Sequence, residues 1–127
     1  MEQIGILFLV AFLLNVLWEN LHSFLYKEYK GATITEFVLV RASLFDAFLI
    51  TLVATPFLFN NYLNERIWLL AFILLCIAIV NEWYGLSTKR WRYNSKMPVI
   101  PFVKVGVTPT VQLSILGLHS YIFATAF

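Results

Sequence analysis

The chain has 127 residues, 61% hydrophobic and 13% charged, whereas soluble domains carry roughly 25% charged residues, so the surplus of apolar side chains has no place in water. A net charge of +2 is too small to mark a nucleic-acid partner, and spans of about 20 residues leave room for four helices and no separate soluble domain. The single cysteine, Cys76, excludes an intrachain disulfide and a cysteine-rich metal site, and within an apolar run it reads as a small packing residue.

The first helix is expected over residues 4–22, an unbroken apolar stretch through Leu14 that ends in Asn15, Trp18, Glu19 and His22. Its leading residues carry Glu2 but no Lys or Arg, and no small-x-small cleavage site follows, so it reads as a retained helix rather than a signal peptide. A connection over 23–40 holds Tyr26, Lys27, Tyr29, Lys30 and Gly31. Arg41 and Ala42 open a second helix, 42–59, with Asp46 in its first turns and Pro56 as a kink. A tight turn over Asn60–Asn64 leads to a third helix, 65–84, whose apolar body ends in Asn81, Glu82 and Trp83. The longest connection, 85–107, contains Lys89, Arg90, Trp91, Arg92, Tyr93, Lys96, Met97, Pro98 and Pro101. Pro109 suits the first turn of a fourth helix, 107–127. The expected fold is all-α, a single transmembrane four-helix bundle over 1–127 with antiparallel up-down topology. Counting Arg41 at the opening of the second helix, eight of the nine Lys and Arg fall on the side of the first and third connections and Arg66 alone on the other side, which places both termini outside by the positive-inside rule.

Antiparallel alternation brings Glu19, His22, Asp46, Glu82 and Gln112 to one membrane face, in a polar layer drawn from all four helices. An acidic group within a span costs roughly 2.5 to 3.5 kcal/mol and ordinarily faces the bundle interior or a water-filled cavity. Three converging carboxylates repel unless one is protonated, a cation sits between them, or Arg41 and His22 neutralise them. Asp46, Glu82 and Glu19 are the candidate acid and base groups, because desolvated carboxyls titrate nearer neutrality. Trp18, Arg41, Trp83, Trp91, Tyr93, Met97 and Gln112 are the candidate substrate contacts, with Trp91, Tyr93, Met97 and Pro98 placed to form a lid. The same aromatic residues also suit an interfacial belt. Glu19 and His22 have the Glu-x-x-His spacing of di-iron bundles. With Asp46 and Glu82 they would make a site for one divalent metal. His119 shares a face with Gln112 at greater depth and reads as bonded to a neighbouring helix.

Asn81-Glu82-Trp83, Trp91-Arg92-Tyr93, Met97-Pro98-Val99-Ile100-Pro101 and Gly106-Val107-Thr108-Pro109 with Gln112 carry a resemblance. The chain resembles a family of small bacterial four-span membrane proteins of uncharacterised function. In that family a Glu-Trp at the end of the third helix precedes Trp-x-Tyr, Met-Pro and Gly-x-x-Pro-x-x-Gln. The likeness takes in Trp18-Glu19 and the Asp46 region and covers nearly the whole chain. Asn81 stands where relatives often have Ser, and Arg41 where they often have His, which weighs against a histidine-based metal site. The resemblance implies that Glu19, Asp46, Glu82, Pro98, Pro109 and Gln112 matter, and that the location is a bacterial cytoplasmic membrane.

The expected function is binding, and acid–base transformation by Asp46 and Glu82, of a lipid or isoprenoid-like molecule entering sideways from the bilayer. Two other classes stand beside it. One is a proton- or cation-coupled transporter subunit, which would need a homo-oligomer; the other is a structural or assembly subunit whose polar layer only fixes helix register.

Overall fold

The structure is a computed structural model that describes residues 2–29 and 34–126, with the backbone alone described at 28 and 29. The sequence-based count of basic residues at the first connection includes Lys30, which lies outside the described residues. The chain is mostly helical. Four long helices, α1 (Glu2–His22), α2 (Glu36–Phe59), α4 (Ile67–Ser87) and α5 (Val107–Thr125), are joined by a single-turn helix α3 (Asn61–Asn64) and two short strands, β1 (Tyr26–Tyr29) and β2 (Trp91–Tyr93).

The third expected helix, 65–84, runs Ile67–Ser87, and two further differences from expectation have local reasons. Helix α2 begins at Glu36 rather than 42, because the Thr35 side chain accepts a hydrogen bond from the Val38 N–H and Glu36 places an acid in the first turn. The turn expected over Asn60–Asn64 is instead a short helix, since the Asn60 side-chain oxygen caps the Leu63 N–H at 3.1 Å. Pro56 lies inside α2.

The buried residues recur at helical spacing. Helix α1 buries Leu7, Ala11, Asn15 and His22, and α4 buries Leu70, Leu74, Ala78 and Glu82, so in both the polar residues continue the stripe that begins as apolar core. Small residues let backbones approach closely. A Cβ on Gly117 would stand 2.3 Å from Leu74 Cδ1, and Ala47, Ala54 and Ala78 fill equivalent places on α2 and α4. Helix α1 packs on α2 and α5, and α4 on α5, while α2 and α4 touch only lightly.

The opposite faces are as apolar as the core. Leu9, Leu13, Leu17 and Leu21 make an exposed leucine stripe along α1, and Phe45, Phe48, Leu52, Trp68, Phe72 and Val80 are exposed on α2 and α4. Exposed apolar surface on this scale marks contact with lipid or other apolar partners. Three helical segments, Glu2–Leu25, Glu36–Phe59 and Ile67–Ser87, are long and apolar enough to cross a membrane. Cys76 lies on such an outer face, so it is not the core packing residue expected.

β1 and β2 pair antiparallel, Tyr26 opposite Tyr93 and Tyr29 opposite Trp91, with an irregularity between Tyr26 and Glu28. This pairing brings the first and third connections, the two rich in Lys and Arg, to the same end of the molecule. At the far end Tyr121, buried edge-on against Phe57 with ring centroids 6.4 Å apart, donates to the Phe57 carbonyl at 2.9 Å.

Candidate functional site

The polar layer forms because each helix delivers one or two hydrogen-bonding side chains where its buried stripe reaches the paired-strand end. On α1, Asn15, Glu19 and His22 follow at i, i+4 and i+7 and so share a face. From α5, the Gln112 side-chain NH2 lies 2.8 Å from Asn15 Oδ1, 2.9 Å from Glu19 Oε1 and 3.2 Å from Asp46 Oδ2. One amide with two protons thus bridges three acceptors from α1 and α2. The Asp46 and Glu19 carboxyls are thereby neighbours on the same Gln112 amide.

Glu82 is held differently. Its Oε1 accepts from the Tyr26 hydroxyl at 3.0 Å, and its Oε2 accepts from Trp91 Nε1 at 2.7 Å and from the Tyr93 hydroxyl at 2.8 Å. All three donors come from β1 and β2, so the strand pair roofs the end of α4. The Tyr93 oxygen in turn accepts the Gly106 N–H at 2.9 Å. Gly85 makes room for this roof, because a Cβ there would stand 2.0 Å from the Trp91 ring. Burial first, and the neighbouring charge of Glu82 second, push the Tyr26 and Tyr93 phenols above their ordinary range, which keeps both as donors.

A second chain of contacts leaves Glu19. His22 Nε2 lies 3.1 Å from Glu19 Oε2, and Nδ1 lies 3.0 Å from Thr108 Oγ1, whose hydroxyl donates to Met97 Sδ at 3.5 Å. The imidazole thus links the Glu19 carboxyl on one side to the Thr108 hydroxyl on the other.

Between α2 and α4, which touch only lightly, lies a cavity of about 530 Å³. Glu19, Asp46, Glu82 and Gln112 line it together with Tyr26, Asn81 and Trp91; Ile34, Val38, Leu39, Phe45, Ala78 and Leu113 supply apolar wall, and Arg41 and Arg90 also border it.

Of the residues predicted from sequence, Glu19, Arg41, Asp46, Glu82, Trp91 and Gln112 therefore meet at one cavity. The others sit elsewhere. Trp83 is 60% exposed; it follows Glu82 by one residue, about 100° around the helix, so it points away. Trp18 packs against the core, with its indole nitrogen buried and without a hydrogen-bond partner among the described residues. Tyr93 reaches Glu82 from behind, and Met97 is buried under the loop against Thr108, so both hold the roof in place rather than line the cavity. His119 is exposed and lies 2.7 Å from the Ile115 carbonyl of its own helix, not a neighbour's.

The metal set Glu19, His22, Asp46 and Glu82 does not close around a point. Among the described residues no group of three or more His, Cys, Asp or Glu side chains is placed to hold a metal ion. The oxygens of Glu82 are already turned toward three donors, and both His22 nitrogens are engaged. Tyr26, Asn15, Thr108 and Arg90 are site residues that the sequence reading did not nominate. For Asn15 the signal was present, since it lies one turn before Glu19 on the same face. A scan of protein-family models, a search of curated proteins and a search of solved structures each found no match to this chain.

Proposed function

We propose that the chain is a four-span integral protein of a bacterial cytoplasmic membrane, an antiparallel up-down bundle with both termini outside, and that its cavity binds a lipid or isoprenoid-like molecule. Asp46 is the acid–base group that acts on the bound molecule, with Glu19 and His22 as its proton partners. The observation that carries this reading is the cavity itself, about 530 Å³, within the roughly 300 to 1,000 Å³ usual for small-molecule sites. Carboxyl and amide groups line part of it, Arg41 and Arg90 border it, and apolar side chains, most of them from α2, supply the remaining wall. An amphipathic ligand matches that division, and the lightly packed α2–α4 seam gives it a sideways entrance from the bilayer.

Helix α5 falls outside the three strongly apolar segments, yet its 19 residues reach about 28 Å at 1.5 Å per residue. It buries Pro109, Thr110, Gln112, Leu113, Leu116, Gly117, Ser120, Tyr121 and Ala124 against the other helices. A span so enclosed has little lipid to face, which supports counting it as the fourth.

Asp46 and Glu82 divide the work. Glu82 already accepts from three donors, which suits an anchor for the roof, whereas Asp46 accepts from Gln112 at 3.2 Å and can exchange that partnership for a ligand. The test is a thermal-melt series in detergent with added isoprenoid phosphates and phospholipids. Wild type should be stabilised by one of these classes and Asp46→Asn should lose the shift while melting normally without ligand. Equal shifts for wild type and Asp46→Asn would reject the assignment.

A further inference from the structure

Residues 97–106 form a hairpin whose base supports the roof but whose apolar tip neither the cavity nor the roof contacts explain. Met97 and Val105 are buried at its base. Val99 and Gly106 form an antiparallel bridge, Ile100 N–H donates to the Val105 carbonyl at 2.9 Å, and Val107 N–H donates to the Pro98 carbonyl at 2.7 Å. Lys104 closes the turn with φ of 57°. At the tip Phe102 is 98% exposed, with Val99 and Val103 each 42% exposed beside it. Nearly complete exposure of a phenylalanine on a loop held by this many backbone bonds is not slack, because the fold spends those bonds on presenting it.

We infer that this hairpin is a membrane wedge, which inserts Phe102 and Val103 into the headgroup–acyl boundary of the same bilayer that the helices cross. The inference rests on the membrane reading above. Charge complementarity favours a lipid surface as the occupant: Lys96 precedes the hairpin, Lys104 lies in its turn, and Lys89, Arg90 and Arg92 lie on the same connection, matching the anionic headgroups of a cytoplasmic leaflet. An apolar tip between basic shoulders is the pattern of an interfacial anchor. The hairpin is also wired to the site, since the Gly106 N–H is bonded to Tyr93 and Tyr93 to Glu82. Seating the tip in lipid therefore holds the aromatic roof over the carboxyl layer.

The test uses the full chain in nanodiscs containing anionic phospholipid, in a Cys76→Ser background, with a nitroxide placed in turn by Phe102→Cys, Lys89→Cys and Leu13→Cys. Relaxation by oxygen, which concentrates in acyl chains, is compared with relaxation by a water-soluble nickel chelate. The wedge predicts that the label at 102 is several-fold more sensitive to oxygen than the label at 89 and approaches the label at 13. A label at 102 as accessible to nickel as that at 89, with the label at 13 shielded, overturns the wedge and leaves the membrane reading standing. Nickel access at 13 as well overturns both.

Discussion

Gln112 is the residue on which the polar layer turns, because its one amide serves Asn15, Glu19 and Asp46. Gln112→Leu leaves those acceptors facing a hydrocarbon and should cost about 1 to 3 kcal/mol, read as a lower melting temperature. The two carboxylates give opposite expectations. Asp46→Asn keeps its size and should fold normally, whereas Glu82→Gln leaves one oxygen to accept from at most two of the three donors and turns an NH2 toward the remaining side, and should loosen the roof, seen as faster proteolysis between residues 85 and 107. Normal protease resistance in Glu82→Gln would remove Glu82 as the anchor. Tyr26 and Tyr93 add a dependence on pH. Their phenols ionise at higher pH in the folded chain than in the unfolded one, so nothing is lost while both states are protonated, and stability falls as pH rises past about 10. Tyr93→Phe should flatten that fall in an alkaline melt series.

At the level of elements, the strand pair depends on the close approach of Trp91 to Gly85. Gly85→Ala drives a methyl into the indole and should free Trp91 from Glu82, at a cost of about 1 to 3 kcal/mol and with an altered tryptophan emission. An unchanged spectrum would mean that the roof does not need this contact. The long apolar helices and the carboxyl layer were legible in the sequence, because hydropathy and helical phase are local properties. The early start of α2 was legible too, in Thr35 followed by Glu36, but the β-branched run Thr33-Ile34-Thr35 obscured it. The pairing of β1 with β2 was not legible. Tyr26 and Tyr93 are separated by more than the length of two helices, and no local pattern says that both will meet Glu82.

Across the whole molecule, the polar end and the apolar end differ in kind. Away from the layer, Leu7, Ile50, Leu70, Leu74 and Leu116 fill the interior, and Thr51 and Ser120 turn their hydroxyls back to their own helices. The proposed pocket, open at one end, fits this division better than an ion path through a single copy would. The central claim is that the cavity between α2 and α4 holds an amphipathic molecule, and native mass spectrometry of protein released from its own membranes addresses it directly. Ala42 borders the cavity, so Ala42→Trp fills it without replacing any carboxyl group. Wild type should retain one amphipathic adduct of defined mass that Ala42→Trp lacks while keeping its melting temperature; the same adduct at the same occupancy in both proteins would contradict the account.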